Sequence, residues 1–163
     1  LDRLLAAGQR KKQPLALIMA DVDHIKRVND TSGHERGDAV LKEVAARLKK
    51  TCREMDVVGR WGGEEFLIIL PDTHEADALI VADRFRAVVA GTAIRLAEHD
   101  PINVTISLGV RCVEPMDMKG TETREADRNR LLKEADDALY KAKDDGRNRV
   151  CQWDATTPSH RKK

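Results

Sequence analysis

Residues Arg60 to Leu70 read RWGGEEFLIIL, two glycines and two adjacent glutamates directly in front of an apolar run. Neighbouring carboxylates repel each other and a Gly-Gly pair is costly to order, so a strand start gains nothing from either. Cation chemistry would. Asp21, near the end of the apolar run LALIMADVD (Leu15 to Asp23), can supply a third carboxylate to Glu64 and Glu65. Three such groups in one place are unfavourable unless a cation neutralises them, and hard oxygen ligands suit Mg²⁺ or Mn²⁺. Gly62 and Gly63 would let a phosphate or ribose approach the backbone without a Cβ clash. Each feature also has an ordinary role. Gly-Gly is a common hairpin turn, Glu-Glu is common surface charge, and Asp21 or, better placed, Asp23 can cap a following helix. Only the combination speaks for a cation site. The five histidines, His24, His34, His74, His99 and His160, show no ligand spacing, and no serine or cysteine sits in a nucleophile elbow.

The elements that must hold these residues follow from periodicity and punctuation. Leu1 to Lys12 reads as the end of a helix, closed by Arg10, Lys11, Lys12 and then Pro14. Leu15 to Asp23 is a nearly continuous apolar strand. From Asp38 to Lys50, Val40, Leu41, Val44 and Leu48 recur at helical spacing. Val57 to Trp61 and Glu65 to Leu70 are short strands joined by the Gly62-Gly63 turn. His74 to Val89 is helical, with Ala78, Val81, Phe85 and Val88 on one face. Asn103 to Val113 (NVTISLGVRCV) is a strand rich in β-branched residues. Glu114 to Arg130, with Pro115 and Gly120, reads as a loop running into a helix. That helix has the face Leu131, Ala135, Ala138 and Ala142 and ends at Gly146. RVCQW makes a last short strand. Residues 1–153 thus form one domain and 154–163 a polar, mobile tail.

The order is strand, helix, strand, strand, helix, strand, helix. Its first six elements fit the split βαβ arrangement of ferredoxin-like folds, an α/β (α+β) plan with helices on one face of the sheet. Polymerase palms share this plan of a central sheet flanked by helices, and set a carboxylate at the end of the first strand against a carboxylate-bearing hairpin. On it, Asp21 faces Glu64 and Glu65.

The chain has 163 residues, 35% charged and 41% hydrophobic, a soluble profile with enough length for one core. A net charge of +1 and 3% aromatics argue against DNA or RNA as partners. Cys52, Cys112 and Cys151 are odd in number, widely spaced and without CxxC, as expected of core thiols in a reducing compartment. No apolar stretch approaches membrane-spanning length and no signal peptide is visible. A start at Leu1 inside a helix-like segment reads as an excised piece. The expectation is a cytoplasmic domain, part of a larger protein with a sensor upstream.

The residues resemble the GGDEF family of diguanylate cyclases along nearly the whole chain. DVDHIKRVNDTSGHERGD resembles the family's first-strand block, and RWGGEEF its namesake hairpin in the variant with Glu in the third position. VTISLGV resembles its late strand, and ADDALYKAKDDGRNRV its last helix and turn. The resemblance implies condensation of two GTP molecules, one per domain of a homodimer, into cyclic di-GMP with release of pyrophosphate. It implies a divalent cation, Mg²⁺ or Mn²⁺, held by Asp21 and Glu64 with the carbonyl of Val22. Glu65 lies near the metal and the attacking hydroxyl. Asn29 and Asp38 match the guanine contacts, and Lys143, Arg147 and, more weakly, Lys26 the triphosphate contacts. Asn29 and Asp38 can also be turn and helix-cap residues, and Lys143 and Arg147 a solvated face favoured by the helix dipole.

Three departures stand out. The family's LTxLxNR-type block before the first strand is represented only by LDRLLAAGQR. Ile25 stands where an aromatic residue is usual, and Ser32 where a bulky one is usual. Glu in the third hairpin position is an accepted active variant.

REMD, Arg53 to Asp56, has the form RxxD, with five residues between it and Gly62, the family's offset for an inhibitory product site. RxxD alone is also an ordinary exposed turn pair. Arg84 is the candidate to complete the site. The expected function is a diguanylate cyclase under product inhibition in second-messenger signalling, the isolated domain being monomeric and weakly active. The alternatives are a domain without turnover that serves as a cyclic di-GMP receptor, and a palm-like cyclase with another product, which Asn29 and Asp38 disfavour.

Overall fold

Strand β1 (Leu15–Val22) is buried along its whole length. A strand covered on both faces reads as a continuous apolar run instead of an alternating one. In the computed structural model, which describes residues 1–96, 100–115 and 124–159, its alternate side chains feed two separate cores. Ala16, Ile18, Ala20 and Val22 pack with Val44, Leu48, Ile68 and Phe85. Leu15, Leu17 and Met19 pack with Leu5, Leu67, Leu131 and Leu139.

The elements in order are α1 (Asp2–Lys11), β1, α2 (Ile25–Ser32), α3 (His34–Thr51), β2 (Val57–Gly62), β3 (Glu65–Pro71), α4 (Glu75–Ala90), β4 (Ile106–Val113), α5 (Arg124–Asp144) and β5 (Val150–Gln152). The sheet runs β2-β3-β1-β4-β5. β1 is antiparallel to β3 and β4, and β5 is parallel to β4. The ferredoxin-like order is as expected. The single helical layer is not. α2, α3 and α4 supply one core, and α1 and α5 cover the other face, because Leu15, Leu17 and Met19 are as apolar as their neighbours and must be buried too.

Several details differ from the periodicity: β4 begins at Ile106 and not at Asn103, and β2 runs on through Gly62, which pairs with Glu65. α2 and α3 together fill the stretch before Asp38, broken only at Gly33, whose φ of 84° favours glycine. In α4 the buried face ends on Val89, at 0% exposure, and Val88, at 39%, faces outward. Gly109 of β4 lets α5 sit directly on the sheet: a Cβ there would lie 2.1 Å from the Leu139 nitrogen and 2.2 Å from the Ala135 oxygen. That contact fixes the end of α5 beside the end of β1.

Cys52, Cys112 and Cys151 are free, Cys112 buried and the other two half-buried. Among the described residues no helix is long and apolar enough to cross a membrane. Residues 116–123, His99 and the end of the polar tail from His160 lie outside the described residues.

Candidate active site

Strand register builds the acidic centre. Asp21, second from the end of β1, lies opposite Glu65 of β3 and Ser107 of β4. The Val22 N–H donates to the Glu64 carbonyl at 3.3 Å, tying the hairpin turn to the same strand end. A β-bulge between Arg60 and Gly62 leaves Trp61 exposed, and Gly63 takes φ 50°. Arg60 Nε donates to the Gly63 carbonyl at 2.8 Å and braces the turn. No atom lies within 4 Å of the position a Cβ would take on Gly62 or Gly63, so the space before the turn is open.

Asp21 is 4% exposed, and its Oδ2 lies 2.7 Å from Lys143 Nζ of α5. Burial pushes its carboxyl up to about 6 against the hydrogen bond and charge of Lys143, which hold it down, while Glu64 and Glu65 push it up further. The three carboxylates therefore share one electrostatic neighbourhood. They do not form a ready ligand set: among the described residues no three His, Cys, Asp or Glu side chains are placed to hold an ion. The donor type fits a hard divalent cation, and Lys143 now supplies the compensating charge. A cation reaching Asp21 Oδ2 must displace that ammonium.

Asn29 sits inside α2, with its Oδ1 buried and without a hydrogen-bond partner among the described residues. A buried acceptor left unpaired is rare and calls for an explanation. It fits against Gly37, where a Cβ would fall 1.8 Å from that oxygen. Asp38 follows, exposed, with Oδ1 3.9 Å from Arg60 Nη2. Neither residue caps a helix: α3 begins at His34 after Gly33, with no side-chain cap bond. The turn and cap roles open to Asn29 and Asp38 in the sequence are thereby excluded.

Lys143 lies in the last turn of α5, and Arg147 in the turn beyond. Gly146, Arg147 and Asn148 have φ of 113°, 63° and 46° in succession. Arg147 is exposed, and so is Lys26, in the first turn of α2. Just before β2, the Arg53 N–H donates to Asp56 Oδ2 at 2.7 Å, and the Asp56 N–H donates to the Arg53 carbonyl at 3.1 Å. RxxD is thus a closed turn with the Arg53 side chain exposed. Arg84 lies near it: the Cys52 thiol, raised to about 11 chiefly by burial, is pushed up by Asp56 and held down by Arg84.

Asp23 corrects an expectation. It does not cap α2, whose N-cap is His24 without a side-chain cap bond. It is 4% exposed and accepts from Thr105 Oγ1 at 2.6 Å, Ser107 Oγ at 2.7 Å and the Asn148 N–H at 3.1 Å. The two hydroxyl residues in the apolar segment VTISLGV are the trace of this anchor in the sequence. Gly37 and Arg60 are the other residues whose part in the site emerges only in three dimensions.

Comparison with known proteins gives the chain's relatives. The family model described as diguanylate cyclase, GGDEF domain, matches residues 1–149. The chain is 43% identical over 151 residues to the response regulator PleD of Caulobacter vibrioides, covering 92% of this chain and 32% of that protein. It is 41% identical over 140 residues to diguanylate cyclase A of Treponema denticola, covering 86% of this chain and 35% of that protein. The chain therefore spans about a third of the length of the curated relatives it matches. Its fold is similar to that of the GGDEF domain of DgcB from Caulobacter crescentus, solved in complex with c-di-GMP. The TM-score is 0.81 at 30% identity, over 93% of this chain and 85% of that one.

Proposed function

This chain belongs to the GGDEF family of diguanylate cyclases, and on that premise we propose that it condenses two GTP molecules into cyclic di-GMP. Each 3′-hydroxyl attacks the α-phosphorus of the other nucleotide. A phosphodiester bond forms, the α–β phosphoanhydride bond breaks, and two pyrophosphates leave per cyclic dinucleotide. Each copy holds one GTP, so two copies make one complete site.

The observation that carries this reading is the buried, unpartnered Oδ1 of Asn29 beside Gly37 and Asp38. The Watson–Crick edge of guanine presents N1–H and N2–H donors, which suit an amide oxygen and a carboxylate. Adenine would leave one acceptor unpaired. Asp21, Glu64, Glu65 and the Val22 carbonyl would hold Mg²⁺ or Mn²⁺, which when bound neutralises triphosphate charge and favours the 3′-oxyanion. Lys143, released from Asp21, and Arg147 then face the triphosphate, with Lys26 at the first turn of α2. The open space at Gly62 and Gly63 admits the phosphate or ribose. Positioning and charge neutralisation carry phosphoryl transfer.

Product binding at Arg53, Asp56 and Arg84 would inhibit by holding two copies with their half-sites apart. Incubation with GTP and Mg²⁺, with chromatography of the products, tests the assignment. Cyclic di-GMP should form at a rate rising faster than linearly with protein concentration. No product over a wide concentration range, or a different cyclic product, overturns it.

A further inference from the structure

We propose that Asp23 is a positioning residue for nucleotide binding: through the Asn148 N–H it holds the turn that aims Arg147 at the triphosphate. The inference rests on the reading above, in which Arg147 contacts phosphate. Gly146, Arg147 and Asn148 all have positive φ, with values of 113°, 63° and 46°. Arginine enters that region only under constraint and asparagine more readily, so the pair persists where surrounding bonds determine it. The bonds can be traced. The Arg147 N–H donates to the Ala142 carbonyl at 3.0 Å and closes the end of α5. The Leu108 N–H donates to the Arg149 carbonyl at 2.9 Å and fixes the chain beyond the turn to β4. Arg86 Nη1 donates to Asn148 Oδ1 at 3.3 Å. Between them the Asn148 N–H donates to Asp23 Oδ2 at 3.1 Å, a charge-assisted bond to a buried carboxylate.

The carboxylate is itself held. Thr105 Oγ1 donates to the same Oδ2 and Ser107 Oγ to Oδ1, while the Asp23 N–H donates to the Thr105 carbonyl at 2.9 Å. Asp23 therefore has little freedom to follow the turn if the turn moves. Asp21 and Asp23 are two residues apart, Asp21 in β1 and Asp23 just beyond its end. Asp21 meets Lys143 and Asp23 meets Asn148. One strand end thus sets the cation-side carboxylate and the phosphate-side arginine at a fixed separation. A residue that only filled space would not need three donors, one of them the backbone next to Arg147.

The test measures binding of 3′-deoxy-GTP, which cannot react, and of GMP, both with Mg²⁺, by calorimetry on the full chain. Asp23→Asn should weaken 3′-deoxy-GTP about tenfold, the scale of one charge-assisted contact, and GMP less than about twofold. In the Arg147→Ala background, Asp23→Asn should add nothing, since it acts through that side chain. Asn148→Gly, which accepts positive φ freely, should restore part of the affinity to Asp23→Asn. Should Asp23→Asn fail to fold, Thr105→Val removes one donor to the same oxygen with little change of shape, and should give a smaller loss for 3′-deoxy-GTP alone. Equal losses for both nucleotides, or a full further loss in the double variant, would overturn the proposal. Wild-type protein that binds neither nucleotide overturns the nucleotide-site reading and this proposal with it. Binding with Asp23→Asn unchanged overturns this proposal alone.

Discussion

Lys143 Nζ lies 2.7 Å from Asp21 Oδ2, so an ammonium compensates the carboxylate proposed above as a cation ligand. The two uses of Asp21 exclude each other. Removing one partner of a buried charge pair costs more than the pair itself contributes. Lys143→Ala should therefore lower the metal-free melting temperature, and added Mg²⁺ should raise it by more than in the wild type. Thermal melts of both proteins with and without Mg²⁺ check this; equal Mg²⁺ shifts would mean that the cation and Lys143 do not compete for Asp21.

The same carboxyl gives metal-free stability a pH dependence. Its pKa is about 6 in the fold against an ordinary 3.8. Between those values the folded chain holds a proton that the unfolded chain has lost. Stability therefore falls as pH rises through this window and levels off above it. The loss is on the order of 2–3 kcal/mol for this buried group. Denaturant titrations at pH 4 to 7 should show the fall in the wild type and its absence in Asp21→Asn. On the proposed site, Mg²⁺ would displace a proton as well as Lys143 below about pH 6, so its affinity should drop there.

Glu64→Ala should abolish cyclic di-GMP formation and leave metal-free melting unchanged or slightly higher, since it removes a proposed cation ligand and relieves repulsion on Asp21. A purified Glu64→Ala variant of normal activity would remove Glu64 from the site.

What the sequence could reveal divides by distance along the chain. The strand read over Leu15 to Asp23 and the α5 face of Leu131, Ala135 and Ala138 are local patterns and stand within a residue of where periodicity put them, while the hairpin turn falls one residue later than read, on Gly63 and Glu64, because Gly62 pairs with Glu65 at the end of β2. The choice of Val89 over Val88 and the second helical layer depend on what packs against each element, which a window of residues does not contain. Asp23 is the sharpest case. Its partners Thr105, Ser107 and Asn148 are 82, 84 and 125 residues away, so a reading confined to its neighbours assigned it a local cap. Gly37 was opaque for the same reason: it clears space for a side chain on the preceding helix.

That packing makes base recognition testable without touching a polar group. In Gly37→Ala the new methyl would sit 1.8 Å from Asn29 Oδ1, so the amide must swing away. GTP affinity should fall about as far as in Asn29→Ala. Asp38→Ala should cost GTP on the order of 1.5–3 kcal/mol and ATP much less. Calorimetry with both nucleotides reads this. A GTP preference that survives in Gly37→Ala and Asp38→Ala would place the base elsewhere.

The last expectation separates inhibition from turnover. The Arg53 N–H donates to the Asp56 carboxylate and the Asp56 N–H to the Arg53 carbonyl, closing a turn that leaves the Arg53 side chain exposed. Arg53 can offer a planar fork to guanine O6 and N7 or to phosphate, and Asp56 has acceptor capacity left for guanine N1–H and N2–H. Arg84, on α4, and Asp56 both act electrostatically on the Cys52 thiol, which places them in one neighbourhood. None of these residues belongs to the Asp21, Glu64 and Glu65 cluster. Cyclic di-GMP affinity should therefore persist in Glu64→Ala and be lost in Arg53→Ala, with a weaker loss in Arg84→Ala. Arg53→Ala should also keep its initial rate of synthesis while losing the slowing that accompanies product accumulation. Calorimetry with cyclic di-GMP and full progress curves decide between the roles: equal product affinity in Glu64→Ala and Arg53→Ala would reduce Arg53 to surface charge.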